Sequence, residues 1–323
     1  MLNGIINIYK EPGFTSSDVV AKMRGICRQK KVGHTGTLDP AATGVLPICL
    51  GTGTKLCDML TDRDKEYVAE LLLGVSTDTQ DTTGKILEEK PVLADQEEIR
   101  KAVMSFLGEY DQIPPMYSAL KVNGKKLYEL AREGKEIPRQ ARRITIYELE
   151  ILKIRVPVVT MRVVCSKGTY IRTLCHDIGE KLGCGGAMQK LERTRVGAFF
   201  KENAVTLAQA EKIRDEEGLE KILFPVEKAF EEYGRVCVKP EYDRMLQNGN
   251  WILPEWLEEQ DLCALAEKTA WNEGNGPKDA QGHPNSEEWV RMCTSEGEFL
   301  GLYSYHREKQ RYQPIKMFLT GRG

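Results

Sequence analysis

Residues 33 to 46, GHTGTLDPAATGVL, set one carboxylate, Asp39, among glycines, threonines and alanines, five residues beyond a lone histidine, His34. No helical or strand periodicity surrounds Asp39, and Pro40 drives it out of the right-handed helical region into an extended conformation. The stretch therefore reads as a loop. Gly33, Gly36 and Gly44 permit backbone angles closed to other residues and let another molecule come close to the main chain. A carboxylate placed this way either bonds nearby amides in an Asx turn or faces a bound molecule as a nucleophile or charge stabiliser. The second role requires the group to stay ionised where water is excluded, and an adjacent guanidinium does this.

The elements that must position such a loop follow from periodicity. GIINIY at 4 to 9 is β-rich and stops at the turn signal Lys10-Glu-Pro-Gly; Ser16 or Ser17 then caps a helix running to about Lys30, with Val19, Val20, Met23 and Ile26 on one face. VLPICLG and YVAELLLG read as strands, DTQDTTG at 78 to 84 as a loop, and Gln96 to Leu107 as a helix with Val103, Phe106 and Leu107 inward. Beyond a Pro-Pro loop, ITIYELEILKI and VVTMRVVC return to β. In TYIRTLCHDIGEKLG the residues Ile171, Leu174, Cys175, Ile178 and Leu182 recur at helical spacing, with Thr169 as cap and Gly183 as stop. Arg172 falls in the first turn of that helix, off the apolar stripe. From Val236 a separate small domain is expected, containing a Gly-, Pro- and Asn-rich excursion at 272 to 287.

Composition narrows the chemistry. With 323 residues, 41% of them hydrophobic, the chain can bury two cores, and no segment approaches the length of a membrane span. A cytoplasmic location is expected. Nine scattered cysteines form no C-x-x-C pair, and four dispersed histidines offer no zinc site, so reduced thiols and a mechanism without metal or cofactor are expected. The net charge of −2 hides a basic stretch, KVNGKKLYELAREGKEIPRQARR at 121 to 143, with Lys121, Lys125, Lys126, Arg142 and Arg143 among its cations. Such a run is either a solvated face or a nucleic-acid footprint. GTGTK at 51 to 55 matches neither phosphate-loop pattern and is set aside.

Several short pieces coincide in order: Gly4 with KEPG at 10 to 13, GHTGTLDP at 33 to 40, Tyr67, MYSALK at 116 to 121, SKGTYIR at 166 to 172 and LERTRVG at 191 to 197. Together they resemble the TruB family of tRNA pseudouridine synthases, closely over residues 2 to 200 and more loosely beyond. The resemblance implies an α+β pseudouridine synthase catalytic fold, a mixed β-sheet with flanking helices, over residues 1–235, and a small β-rich PUA-like RNA-binding domain over 236–323. It also implies isomerisation of uridine to pseudouridine at position 55 in the T loop of tRNA, with the base flipped out of its stack. Asp39 matches the catalytic nucleophile, acting at the ribose anomeric carbon or at the base, or assisting elimination; Arg172 matches its partner. Tyr67 matches the tyrosine that stacks on the target base, with a part in proton transfer from carbon 5 also implied. His34 matches the residue filling the gap left by that base, and Leu191 an apolar wall of the pocket. Lys10 and Tyr117 match positions contributing to pocket structure and RNA contact. Residues 112 to 143 resemble a thumb-like insertion gripping the T arm through Lys121, Lys125, Lys126, Arg142 and Arg143. The resemblance implies no obligatory protein partner. A non-catalytic tRNA binder and a guide-RNA-dependent relative are the alternatives; Asp39, Tyr67 and Arg172 together speak against the first, and the long basic thumb against the second.

Overall fold

The computed structural model describes residues 1–122, 124–258 and 289–319. The expected excursion at 272 to 287 lies outside the described residues. From the N-terminus the chain runs β1 (Gly4–Lys10), α1 (Ser16–Ile26), β2 (Val32–His34), β3 (Thr43–Leu50), α2 (Cys57–Thr61), β4 (Lys65–Leu73), β5 (Val75–Thr77), β6 (Ile86–Glu89), α3 (Gln96–Met104) and β7 (Gly108–Gln112). It continues through β8 (Lys121–Val122), β9 (Lys125–Lys126), α4 (Leu127–Arg132), β10 (Arg142–Arg155), β11 (Val158–Cys165), α5 (Ile171–Lys181), β12 (Gly186–Val196), β13 (Phe199–Phe200) and α6 (Leu207–Glu216). Two compact units result: Ile6–Ile48 with Leu56–Ile222, and Met1–Ile5 with Cys49–Lys55 and the described part of Leu223–Gly323.

The main sheet places its strands in the order β1-β3-β12-β4-β11-β10-β7, with β12 parallel to β3 and antiparallel to β4. The sheet is therefore mixed. Along β4, Lys65, Tyr67, Ala69, Leu71 and Leu73 are buried while the residues between them are half-buried, the period of two that gives a strand one core face. Ile99 and Val103 of α3 and Ile171, Leu174, Cys175 and Ile178 of α5 join Ala69, Leu71, Val159, Met161 and Val163 of the sheet in one core. Their burial away from water is the main driving force for this layering.

The seam between β3 and β12 admits no side chain at one point. Gly44 has φ of +109° and stands opposite Arg193, and a Cβ there would lie 2.1 Å from the Arg193 carbonyl oxygen. Gly44→Ala is expected to cost about 3 kcal/mol or more, since both backbone strain and a main-chain clash oppose it. Denaturant unfolding measures this; a loss under about 1 kcal/mol would mean that the seam relaxes freely.

Four helix limits differ from the sequence reading. Thr15, not Ser16 or Ser17, caps α1, its hydroxyl accepting from the Asp18 amide while Asp18 answers in a capping box. Ser16 instead exchanges bonds with the Leu38 backbone. The helix ends at Ile26 rather than near Lys30 because Arg28 turns left-handed at φ +50°. α3 stops at Met104, and Leu107 is exposed, because Gly108 at φ +97° redirects the chain into β7. At the start of α5, Thr169 does not cap; it bonds Ser166, and the Tyr170 amide is taken by the Gln112 side chain of β7.

The second unit adds β14 (Leu223–Phe224), β15 (Gly234–Cys237), α7 (Asp243–Gln247), β16 (Trp289–Cys293), β17 (Phe299–His306) and β18 (Arg311–Met317). β15 to β18 form a four-stranded sheet in sequence order, over a core including Val236, Ile252, Val290, Met292 and Tyr303. Among the described residues no helix is long and apolar enough to cross a membrane.

Candidate active site

Four pieces far apart in sequence converge on one cleft of about 890 Å³. The loop ahead of β3 brings Asp39, the buried face of β4 brings Tyr67, the first turn of α5 brings Arg172, and β12 brings Leu191 and Arg193. Strand alternation explains the last pair, because residues two apart share a face. Antiparallel register then sets Arg193 opposite Tyr67.

Arg172 is buried and uses its whole fork. Its Nε meets Asp39 Oδ2 at 3.0 Å, and Nη2 donates to Asp39 Oδ1 at 3.2 Å and to the Tyr117 carbonyl at 2.8 Å. Nη1 donates to the Thr79 carbonyl at 3.0 Å and lies 3.7 Å from Asp81 Oδ2. First-turn arginines ordinarily reach solvent; this one is aimed inward because carbonyls and carboxylates await each donor. Asp81 is turned toward it, its other oxygen accepting from the Thr79 and Thr83 hydroxyls and the Thr83 amide.

Burial pushes the Asp39 carboxyl above the ordinary aspartate value. The Arg172 charge works against that rise, Asp81 adds to it, and Lys10 opposes it. The expectation that Arg172 favours the ionised form holds in direction, but burial is the larger influence. About 35% of the Asp39 side chain still opens to the cleft, so water reaching it limits the rise in the free protein.

Lys10 is fully buried and lies outside the cleft lining. Its ammonium donates to the carbonyls of Glu11, Pro40 and Ala42, at 3.1, 3.1 and 2.6 Å, stitching the end of β1 to the Asp39 loop. Burial lowers its pKa to about 8, against the pull of Asp39. His34, at the end of β2, also stands outside the lining. Its Nδ1 accepts from the Gly36 amide at 3.2 Å, and burial, then the Arg193 charge, lower its pKa and favour the neutral ring. Tyr117 lines the cleft and meets Arg172 through its backbone, and Leu191 is a buried wall.

The thumb segment is built from the β8–β9 hairpin and α4. Tyr128 and Arg132 of α4 reach the cleft lining, and Lys126 and Arg132 sit over the Tyr128 ring at 5.4 and 5.5 Å. Lys125 and Arg142 are exposed. Arg143 is also exposed but is engaged by Asp111, through two bonds, and by Glu109 across the β7–β10 ladder. The Lys121 side chain lies outside the described residues.

Sequence reasoning passed over three residues in this cleft. Arg193 had a signal, standing two residues beyond Leu191 and so on the same strand face. Asp81, inside DTQDTTG, was visible only as a loop residue. Lys65 precedes Tyr67 by two on β4 and donates to the Thr61 and Arg63 carbonyls; burial, with the Arg193 charge adding to it, lowers its pKa to about 8.

Comparison with known proteins gives the chain its family. The model of the TruB family pseudouridylate synthase N-terminal domain matches residues 24–171, and that of the tRNA pseudouridylate synthase B C-terminal domain matches 172–231. The tRNA pseudouridine synthase B of Lachnoclostridium phytofermentans is 49% identical, over 98% of this chain and all of that protein. That of Alkaliphilus oremlandii is 50% identical over 83% of this chain and 91% of its own length. A chain in the crystal structure of a Cbf5-Nop10-Gar1 complex, 29% identical, aligns over 98% of this chain and 84% of its own with a TM-score of 0.68. The chain belongs to the TruB family of pseudouridylate synthases, with the mixed-sheet α/β fold of that family and a C-terminal β domain.

Proposed function

We propose that this protein isomerises uridine to pseudouridine at position 55 in the T loop of tRNA, without a protein partner, through Asp39 as nucleophile. The observation that carries the reading is the two-point contact of Arg172 with Asp39 in a cleft walled by Tyr67 and Leu191. A carboxylate held by both oxygens is fixed in direction, and opposite charge at this distance favours its ionised form. It can then act at a ribose or base carbon once the nucleotide is turned out of its stack. Tyr67 offers a flat face to that base, and Leu191 closes the wall behind it. His34 fills the vacated place in the RNA, and its neutral ring suits stacking. Lys10 sets the pocket through the Asp39 loop, and Tyr117, itself in the cleft lining, through its carbonyl on Arg172.

The T arm is the expected RNA partner, gripped through its phosphates by the thumb cations Lys121, Lys125, Lys126 and Arg142, with Arg143 joining by exchanging its carboxylates. A catalytic domain over 1–235, a PUA-like RNA-binding domain over 236–323 and a cytoplasmic location belong to the same reading.

Isomerisation leaves mass unchanged but must release the hydrogen on uridine carbon 5. With tRNA tritiated at that carbon, purified protein is expected to release label from one site per molecule, unaffected by EDTA and without added nucleotide. A T-arm hairpin should serve as well, because loop shape is local. No release from folded protein would leave a binding module, and release only after guide RNA and partner proteins are added would favour the guide-dependent reading.

A further inference from the structure

Arg193 has no duty in the reading so far, yet it is among the largest fully buried side chains in the molecule, 1% exposed. Its Nε donates to the Val45 carbonyl at 2.7 Å and Nη2 to the Gly36 carbonyl at 3.3 Å, and it stands beside Tyr67 across the β4–β12 ladder, where it favours ionisation of the phenol. No carboxylate pairs with it among the described residues. Its charge is accordingly felt around it, lowering the pKa of Lys10, His34 and Lys65. A buried guanidinium resting only on carbonyls beside a phenol is costly to the fold. Where such a group sits opposite Tyr67 in strand register, a functional return is the economical explanation.

A guanidinium only donates, so the Tyr67 oxygen can meet its neighbour only as an acceptor, with its own hydrogen pointing elsewhere. The isomerisation must remove the proton from carbon 5 after the base is rejoined. Of the oxygen groups lining the cleft, Asp39 has both oxygens held by Arg172 and Asp81 is engaged by Arg172, Thr79 and Thr83, and the family resemblance gives the transfer to Tyr67. We propose that Arg193 is a positioning residue for Tyr67, holding the phenolic oxygen in place and stabilising the tyrosinate that takes the carbon-5 proton. In that step the C5–H bond breaks and the proton passes to the Tyr67 oxygen. The released pair forms the C5=C6 double bond, displacing the C6=N1 pair onto N1, which takes a proton from water; the phenol later returns its proton to solvent. The groups acting on the Tyr67 phenol are Arg193 of β12, Cys165 of β11 and Asp39 of the loop. Burial, Cys165 and Asp39 oppose its ionisation, and Arg193 favours it.

The proposal rests on the pseudouridine synthase reading, and the test separates the two. Replace Tyr67 by a difluorinated tyrosine, whose phenol ionises nearer neutrality, and follow its ionisation by fluorine NMR in the free protein with and without Arg193→Gln. Losing the guanidinium should raise the midpoint by about one unit or more. With tyrosine at 67, Arg193→Gln should slow single-turnover release of carbon-5 tritium roughly thirtyfold at neutral pH, with tRNA affinity within about threefold, and the deficit should shrink as pH rises. An unmoved midpoint, a deficit independent of pH, or a loss carried by weaker RNA binding overturns the role. If Arg193→Gln does not fold, Arg193→Lys, which keeps the charge but not the fork, should shift the midpoint upward by less, and an unmoved midpoint there overturns the role equally. Failure of the unsubstituted protein to release label would refute the reaction, whereas the fluorine titration needs no RNA and judges Arg193 alone.

Discussion

Asp39→Asn is expected to abolish turnover, lowering single-turnover release of carbon-5 tritium roughly ten-thousandfold, while tRNA affinity changes by less than about tenfold. Asparagine keeps the shape of aspartate and removes the charge on which the proposed nucleophile depends. The surroundings should hold, because Arg172 retains the Thr79 and Tyr117 carbonyls and the nearby Asp81, and the Asp39 loop retains its stitches from Lys10. Affinity should survive if the proposed grip through thumb phosphate contacts, away from this carboxylate, holds the RNA. The measurement pairs single-turnover rates with filter binding on unmodified tRNA. Near wild-type release by the variant would remove Asp39 from the chemistry.

Arg172→Met has the second largest expected effect, a loss of about a thousandfold in rate with a displaced pH profile. The sign follows from what remains. Burial already raises the Asp39 pKa, and the Arg172 charge is the largest influence holding it down. Without that charge the folded pKa rises further, so the ionised carboxylate is populated only at higher pH and the acid limb of the rate profile should move upward. Asp81 pushes the same way, because its charge also raises the Asp39 pKa and Arg172 no longer lies between the two. Raising the pH should therefore restore part of the lost rate. A loss uniform across pH would assign Arg172 to geometry and not to charge.

The sequence exposes this architecture unevenly, for identifiable reasons. β4, β10 and β11 are legible because alternation and β-branched runs survive without knowledge of their neighbours, as does the apolar stripe of α5. Helix ends are less legible: Thr15 takes the cap that either serine could have taken, and a left-handed Arg28 ends α1 where composition gives no breaker. Asp39, Tyr67, Arg172 and Leu191 could be singled out because their motifs stand in family order, and the structure brings them to one cleft. His34 and Lys10 could be singled out equally, yet neither is part of the cleft lining. Arg193 and Asp81 acquire meaning only through pairing, one from β-strand register and the other from a loop folded back on α5. Nothing local to LERTRVG or DTQDTTG states what lies opposite. For Arg143 the opposite holds: as part of a basic run it reads as a free cation, while register with β7 gives it Asp111 as a neighbour.

The order of strands in the main sheet has a bearing on how this protein is made. β12 lies between β3 and β4, both synthesised more than a hundred residues earlier. Until Gly186–Val196 has left the ribosome, β3 and β4 each lack their inner neighbour, and the growing chain carries two bare strand edges of high β propensity. Closure is then a single late event, joining halves of the sheet through contacts distant in sequence, which slows folding relative to local pairing. The same event delivers Leu191 and Arg193 beside Tyr67. A nascent chain thus gains its cleft only when its most exposed edges disappear, so the birth of the catalytic pocket and escape from edge-to-edge aggregation fall at one moment of synthesis.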